Sequence, residues 1–427
     1  MTAPPARGTF RSLANRNFRL WIVSGLLSNI GSWMQGTAQT WLVLTELTDH
    51  SAAAVGIVTA LQFTPQLLLV AVTGTAADHV DRRKLLIAIQ CGMAVLALAL
   101  GLATVSGAVQ LWHVYVLAFL LGCGMAFDMP ARNSFISELV GEGDIGNAVA
   151  LNGTAFQLAR AIGPAIAGLL IALVGTGWVF IINGLCYAFI IGGLMRIHVP
   201  DLHRHAPGER GKARLLDGFR YVRNRPDIRT VFTMLFFMGM LGMNFAVFVS
   251  VMSVAVFHKG AGECGLLTSL LAVGSVIGAL LAARRDRPRL FHLIGGAFCF
   301  GCTMMLAAAA PNYLLFSFMM VLIGLSTQTL MTSANGFVQL ATERAMRGRV
   351  IAIHMAILLG GLPIGAPFVG WVADHLGPRA SMVVGGSAGF VATTIGLVYL
   401  VRVRHLRFYR EDGRWRYRVA PDPYQPA

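Results

Sequence analysis

The sequence predicts an all-α membrane protein of twelve transmembrane helices, arranged as two six-helix bundles related by pseudo-two-fold symmetry. Three observations predict it. Twelve apolar stretches spread evenly along the 427 residues are each long enough to cross a bilayer, which takes roughly 20 residues at 1.5 Å per residue. The chain is 56% hydrophobic and only 12% charged, where soluble domains carry about 25% charged residues. One polar, basic loop divides the stretches six and six, and the two halves align with each other when the chain is shifted along itself. Barrel strands would alternate with period two. These stretches do not, so helices are the remaining way to satisfy the backbone in lipid.

The first half reads as spans at 19–45, 52–77, 84–106, 111–137, 145–174 and 177–195. The second reads as 229–257, 264–284, 290–310, 312–338, 347–373 and 379–402. Leu20–Leu44, Ala53–Ala76, Leu85–Val105 and Leu266–Ala283 are the clearest. The first run is too long for a signal peptide and reads as a retained helix. Short turns such as Val174–Gly177 and Ala310–Asn312 force antiparallel neighbours. The expected domains are 1–195 and 229–402, joined by a loop at 196–228 and followed by a tail at 403–427. In the loop, Leu215, Leu216, Phe219, Tyr221 and Val222 recur at helical spacing among charges, the pattern of an amphipathic helix at a membrane surface. An ordinary hydrophilic linker fits the same stretch.

A shift of 202 residues brings Gly122 onto Gly324, Asn133 onto Asn335, Phe135 onto Phe337, Gly163 onto Gly365 and Gly168 onto Gly370. One offset serves the fourth and fifth spans together. Parallel repeats of this kind are one of the architectures from which transporters are built.

The net charge of +15 is not a nucleic-acid signal, because of where the charge lies. With the loops assigned alternately to two sides, Lys259 and Arg379 fall on one side and Arg160 within a span. Every other lysine and arginine sits at the opposite face. This positive-inside bias places both termini and the central loop in the cytoplasm, with anionic lipid headgroups as their partners and no nucleic acid. The six cysteines are scattered through apolar segments and read as small packing residues. Cys264, just before the eighth span, is the one expected near the external face.

The loop between the second and third spans reads Gly74-Thr-Ala-Ala-Asp78-His-Val-Asp81-Arg82-Arg83-Lys84. It resembles the loop motif of the major facilitator superfamily. Gly74, Asp78, Arg82 and Arg83 fall on that motif's first glycine, aspartate, arginine and basic positions, while Ala76 and Asp81 depart from it. Within the superfamily the chain resembles the drug:proton antiporters and the macrolide-efflux and enterobactin-exporter-like proteins. Asn17–Trp21, Phe127–Arg132, Ala159–Pro164 and Gly365–Pro367 carry that likeness. The resemblance implies the major facilitator fold. It also implies a latch in which Asp128, a costly carboxylate within the fourth span, pairs with Arg82. The alternative is that Asp128 reaches the headgroups beside Arg132, four residues on.

In the fifth span, Arg160, Gly163, Pro164 and Gly168 are similar to the Gly-Pro motif of superfamily antiporters, with Ala167 in place of one paired glycine. The glycines permit close helix approach, and the proline bends the helix. For Arg160 two readings stay open. It is a structural group, or it contacts an anionic substrate or couples to Asp128. The resemblance further implies that the first, fourth, seventh and tenth spans line a cavity. The candidates on them are Asn29, Trp33, Asn244, Gln328 and Asn335, and for any one of these helix–helix glue is the competing role. Asp128 and His354 are the titratable candidates for carrying a proton.

The expected function is a proton-coupled exporter of bulky amphiphilic compounds, such as drugs, antibiotics or a siderophore. It would work by alternating access as a monomer in a bacterial plasma membrane. An importer or facilitator of a small nutrient in the same fold is the alternative. No nucleotide loop, nucleophile–base set or metal cluster is present in the sequence. The reading is therefore of a protein that is not an enzyme, that needs no cofactor, and that is driven by the proton gradient.

Overall fold

A computed structural model describes residues 8–69, 73, 80–203, 215–283, 290–405, 407–411 and 414–418. The order of helices is α1 (Arg16–Trp41), α2 (Ala52–Leu68), α3 (Arg82–Val105), α4 (Leu111–Leu139), α5 (Ile145–Val174) and α6 (Thr176–Arg196). Then come the short α7 (Leu215–Arg223), α8 (Pro226–Phe237), α9 (Phe245–Val251), α10 (Ala261–Ala283), α11 (Leu290–Ala308), α12 (Tyr313–Ala341), α13 (Arg347–Leu376) and α14 (Pro378–Arg402). Side-chain caps set several starts. Asn15 accepts from the amides of Asn17 and Phe18, Ser51 from that of Ala54, Asp81 from that of Lys84 and Asn312 from that of Leu315.

Among the described residues, ten helical segments are long and apolar enough to cross a membrane. The two expected spans outside that set are the first and second. α1 is 26 residues long but carries Ser24, Ser28, Asn29, Ser32, Gln35, Thr37, Gln39 and Thr40, which lower its hydropathy. The described part of α2 is 17 residues. Large apolar side chains cover the outside of the helices, for example Leu173 at 70% exposed and Leu314 at 78%. On helices of this length and apolarity such a surface is the one a bilayer covers.

The 202-residue repeat reappears in the backbone. α4 and α12 are both 29 residues long and start at 111 and 313. α5 and α13 are both 30 residues long and start at 145 and 347. Each of this second pair ends on a glycine with positive φ, Gly175 at 86° and Gly377 at 93°. Only glycine holds that conformation without strain, and it lets α6 and α14 turn back at once.

The seventh span departs from expectation. The continuous helix predicted at 229–257 is broken. α8 ends in a π turn at Met238–Gly242, the helix lapses at Met243 and Asn244, and α9 runs into a second π turn at Met252–Val256. Gly239 and Gly242 weaken this stretch as a helix. A Cβ at Gly365 would fall on the Met240 carbonyl, and one at Gly361 would lie 2.5 Å from the Met240 nitrogen. The distorted turn is therefore pressed against the glycine face of α13.

The described chain divides into two compact units. The first is Met1–Arg210 with Val249–Ala272; the second is Gly211–Phe248 with Val273–Ala427. The first has a core of Phe18, Trp21, Leu86, Phe135, Tyr187 and Leu194 among others, with Trp21 edge-on to Phe135 at 5.5 Å. In the second, α7 forms where the amphipathic pattern lies. It packs on protein: Gly218 lies against Ile353 and Arg349 of α13, and Tyr221 accepts a hydrogen bond from Arg225. Arg225 also pairs with buried Asp227 and donates to the carbonyl of Ala341. In the tail, 407–411 and 414–418 form an antiparallel hairpin. Cys264, expected near the external face, is buried in the first turn of α10.

Candidate functional site

The site residues of the first unit sit along α1, α3, α4 and α5. α3 and α4 run antiparallel, so acidic and basic groups meet in levels. At the end that carries the start of α3, Arg82 pairs with Glu138 near the end of α4. The next residue, Arg83, donates to the carbonyls of Leu194 (2.6 Å) and Met195 (3.0 Å). It thereby satisfies the last turn of α6, where a cation is favoured. Gly74 and Asp78 lie outside the described residues.

Deeper along the same helices, Gln90 donates to Asp128 Oδ1 at 2.6 Å, and Arg132 pairs with Asp128 Oδ2. The expected Arg82–Asp128 pair is not formed; this is a correction with a simple cause. Ten residues of helix separate Asp128 from Glu138, about 15 Å at 1.5 Å per residue. Glu138 is level with Arg82, and Asp128 is level with Gln90. The Arg132 guanidinium also lies 5.4 Å above the ring of Trp21, whose Nε1 donates to Asn152 Oδ1 at 3.3 Å. Four helices thus meet around one carboxylate. Sequence reasoning missed Glu138 and Gln90. Glu138 could have been found as an acidic residue in the last turn of α4, at the same end of the bundle as Arg82; nothing local marks Gln90.

The fifth-span motif works by contact. A Cβ on Gly163 would stand 2.6 Å from Trp33 Cβ and 3.0 Å from the Ile30 carbonyl of α1. One on Gly168 would stand 2.4 Å from the Ala261 carbonyl at the start of α10. The contact is reciprocal, since a Cβ on Gly265 would stand 2.2 Å from the carbonyl of Pro164. Pro164 also lacks the N–H that would have bonded the carbonyl of Arg160.

Arg160 and Trp33 come together, with the guanidinium 5.6 Å from the ring. Phe156, one turn before Arg160, meets Trp33 edge-on at 5.9 Å. Asn29 is half-buried one turn before Trp33 on α1. In the second unit the candidates bond to their own helices. Asn244 is fully buried at the break in the seventh span, and its amide donates to the carbonyls of Met240 (2.8 Å) and Leu241 (3.3 Å). Gln328 donates to Thr332 at 3.2 Å, and Asn335 accepts from Gln339 at 3.0 Å. His354 is buried edge-on to Phe232 at 5.8 Å, and its Nδ1 has no hydrogen-bond partner among the described residues. Glu46, also missed, ends the π turn Leu42–Glu46 that follows α1 and accepts from the Thr176 hydroxyl at 2.9 Å at the start of α6. Among the described residues no three His, Cys, Asp or Glu side chains are grouped to hold a metal ion.

Comparison with known proteins adds relatives to this geometry. The profile of a family described as transmembrane secretion effector matches residues 7–416. A staphyloferrin A transporter of Staphylococcus aureus is 26% identical, covering 91% of this chain and 97% of its own. The multidrug efflux pump Tap of Mycolicibacterium fortuitum is 26% identical, covering 91% and 96%. The enterobactin exporter EntS of Escherichia coli is 27% identical, covering 91% and 93%. Among solved structures, a bacterial homologue of the human lysosomal transporter Spinster superposes with a TM-score of 0.71 at 16% identity, covering 90% of this chain and 97% of that one. A D-xylose–proton symporter gives 0.68 at 14%, covering 91% and 97%. At those identities the structures report the fold alone.

Proposed function

Because this chain belongs to the transmembrane secretion effector family, within the major facilitator superfamily, we propose that it exports bulky amphiphilic small molecules by alternating access. The observation that carries the direction is the set of relatives. Exporters of a siderophore and of drugs align with it over nine-tenths of its length. It is a multi-pass membrane transporter, not an enzyme.

The drive in this proposal is the proton gradient, with no cofactor. Asp128 is the carboxylate best placed to exchange a proton. It lies within a span, and Arg132, Gln90 and Trp21 form a network around it that joins α1, α3 and α4. Protonation would weaken its pair with Arg132 and so bias one state of the network over the other, which is what coupling requires. In this reading Arg82 with Glu138 and Asp128 with Arg132 take the part of the latch between Arg82 and Asp128. The site is in a bacterial inner membrane, with both termini cytoplasmic as the basic loops favour, and a monomer suffices.

The test is accumulation of a fluorescent amphiphilic dye in cells expressing the chain. Expression should lower the steady-state level, and a protonophore should restore it. A rise in accumulation on expression would instead favour the importer reading.

A further inference from the structure

Among the described residues the first unit holds two arginine–tryptophan stacks, and one of them has a carboxylate as counter-charge. Arg132 lies over Trp21 and has Asp128 as its counter-charge. Arg160, near the middle of α5, lies over Trp33 in the same way. It has neither a carboxylate nor a hydrogen-bond partner among the described residues. The surrounding face is open. Phe156 is 43% exposed, and no atom lies within 4 Å of where a Cβ would project from Gly36 on α1 or Gly153 on α5. A bare guanidinium facing hydrocarbon in mid-span is costly, and charged side chains within spans face a bundle interior or a water-filled path. A planar guanidinium fits a carboxylate through two parallel hydrogen bonds. The ring edges of Trp33 and Phe156 offer an apolar shelf beside it.

We infer that Arg160, Trp33 and Phe156 form the subsite for an anionic group of the cargo, so that the exported class is aromatic or apolar compounds bearing a carboxylate. The carboxylate that Asp128 supplies to Arg132 is supplied to Arg160 by the ligand. This inference rests on the export reading for the word cargo; the binding of the anion does not.

The test uses the purified full chain in phosphatidylcholine liposomes, where no anionic headgroup competes. The probes are dansyl-phenylalanine, which has a free carboxylate, and its neutral methyl ester. Binding is followed by dansyl fluorescence. The wild type should bind the acid more tightly than the ester by at least about tenfold, the scale of one charge-assisted hydrogen bond. Arg160→Gln should abolish that preference with ester binding unchanged, which also shows that the variant is folded. Arg160→Lys should keep part of it. Equal affinity of the wild type for both probes, including none for either, overturns the inference. So does a preference that survives in Arg160→Gln. Transport under an imposed pH gradient is read separately. Vesicles that bind the acid through Arg160 but move neither probe would sink the export reading while supporting the anion subsite.

Discussion

Removing the charge of Asp128 takes away the counter-charge that Arg132, lying over Trp21, has among the described residues, and leaves Gln90 donating to a neutral group. Asp128→Asn should therefore reach the membrane in normal amount and transport at least about tenfold more slowly, since hydrogen bonds to charged groups contribute about 1.5–3 kcal/mol. Dye efflux normalised to a fluorescent-protein fusion measures this; a wild-type rate would remove Asp128 from the mechanism. Glu138→Gln tests the second level. It leaves Arg82 facing a neutral amide and should slow transport too, whereas swapping the pair (Arg82→Glu with Glu138→Arg) should recover part of the rate. No recovery in the swapped variant means the pair itself is not what matters. The sequence made the charges in these helices visible, but not their partners. Spacing along α4 places Asp128 and Glu138 at different depths, yet only the three-dimensional stagger of α3 against α4 says that Gln90 faces one and Arg82 the other. Asn244 shows the same limit. Its NH2 bonds the carbonyls its own broken helix leaves open, while its Oδ1 has no hydrogen-bond partner among the described residues.

At the scale of elements, the two crossings made by α5 set how close its neighbours come. Gly168 and Gly265 press backbone against backbone at the start of α10. Gly265→Leu must push the helices apart, a strain of about 1–3 kcal/mol if the neighbours yield as a core does. Expression should be retained and export lost or leaky, while leucine at exposed Gly92 of α3, where nothing lies within 4 Å, should leave export intact. Equal export by the two variants would show that the close crossing has no functional role. Much at this scale was legible. The 202-residue offset read from a few glycines and asparagines predicts the matching starts of α4 and α12 and of α5 and α13, because each repeat must make the same turns from the same backbone. The break in the seventh span was not foreseen. Gly239, Gly242 and Asn244 are its signals, but hydropathy is blind to them, because glycine and a single asparagine hardly lower the apolarity of a stretch rich in Met, Leu and Phe.

For the whole molecule, the apolar exterior follows from composition alone, and so does the family's membrane location. Direction of transport and drive do not, because both depend on the relative free energies of states that a single arrangement of helices does not compare. Everted membrane vesicles give the most direct measure of both. In them an exporter's cytoplasmic side faces the bath, so export appears as uptake into the lumen. With the vesicle interior made acidic relative to the bath, vesicles carrying this chain should accumulate an amphiphilic dye, and nigericin, which collapses the pH difference, should abolish the accumulation; Asp128→Asn vesicles should accumulate little. Uptake that persists undiminished after the proton gradient is collapsed would contradict proton-coupled export, as would dye loss from preloaded everted vesicles faster than from control membranes.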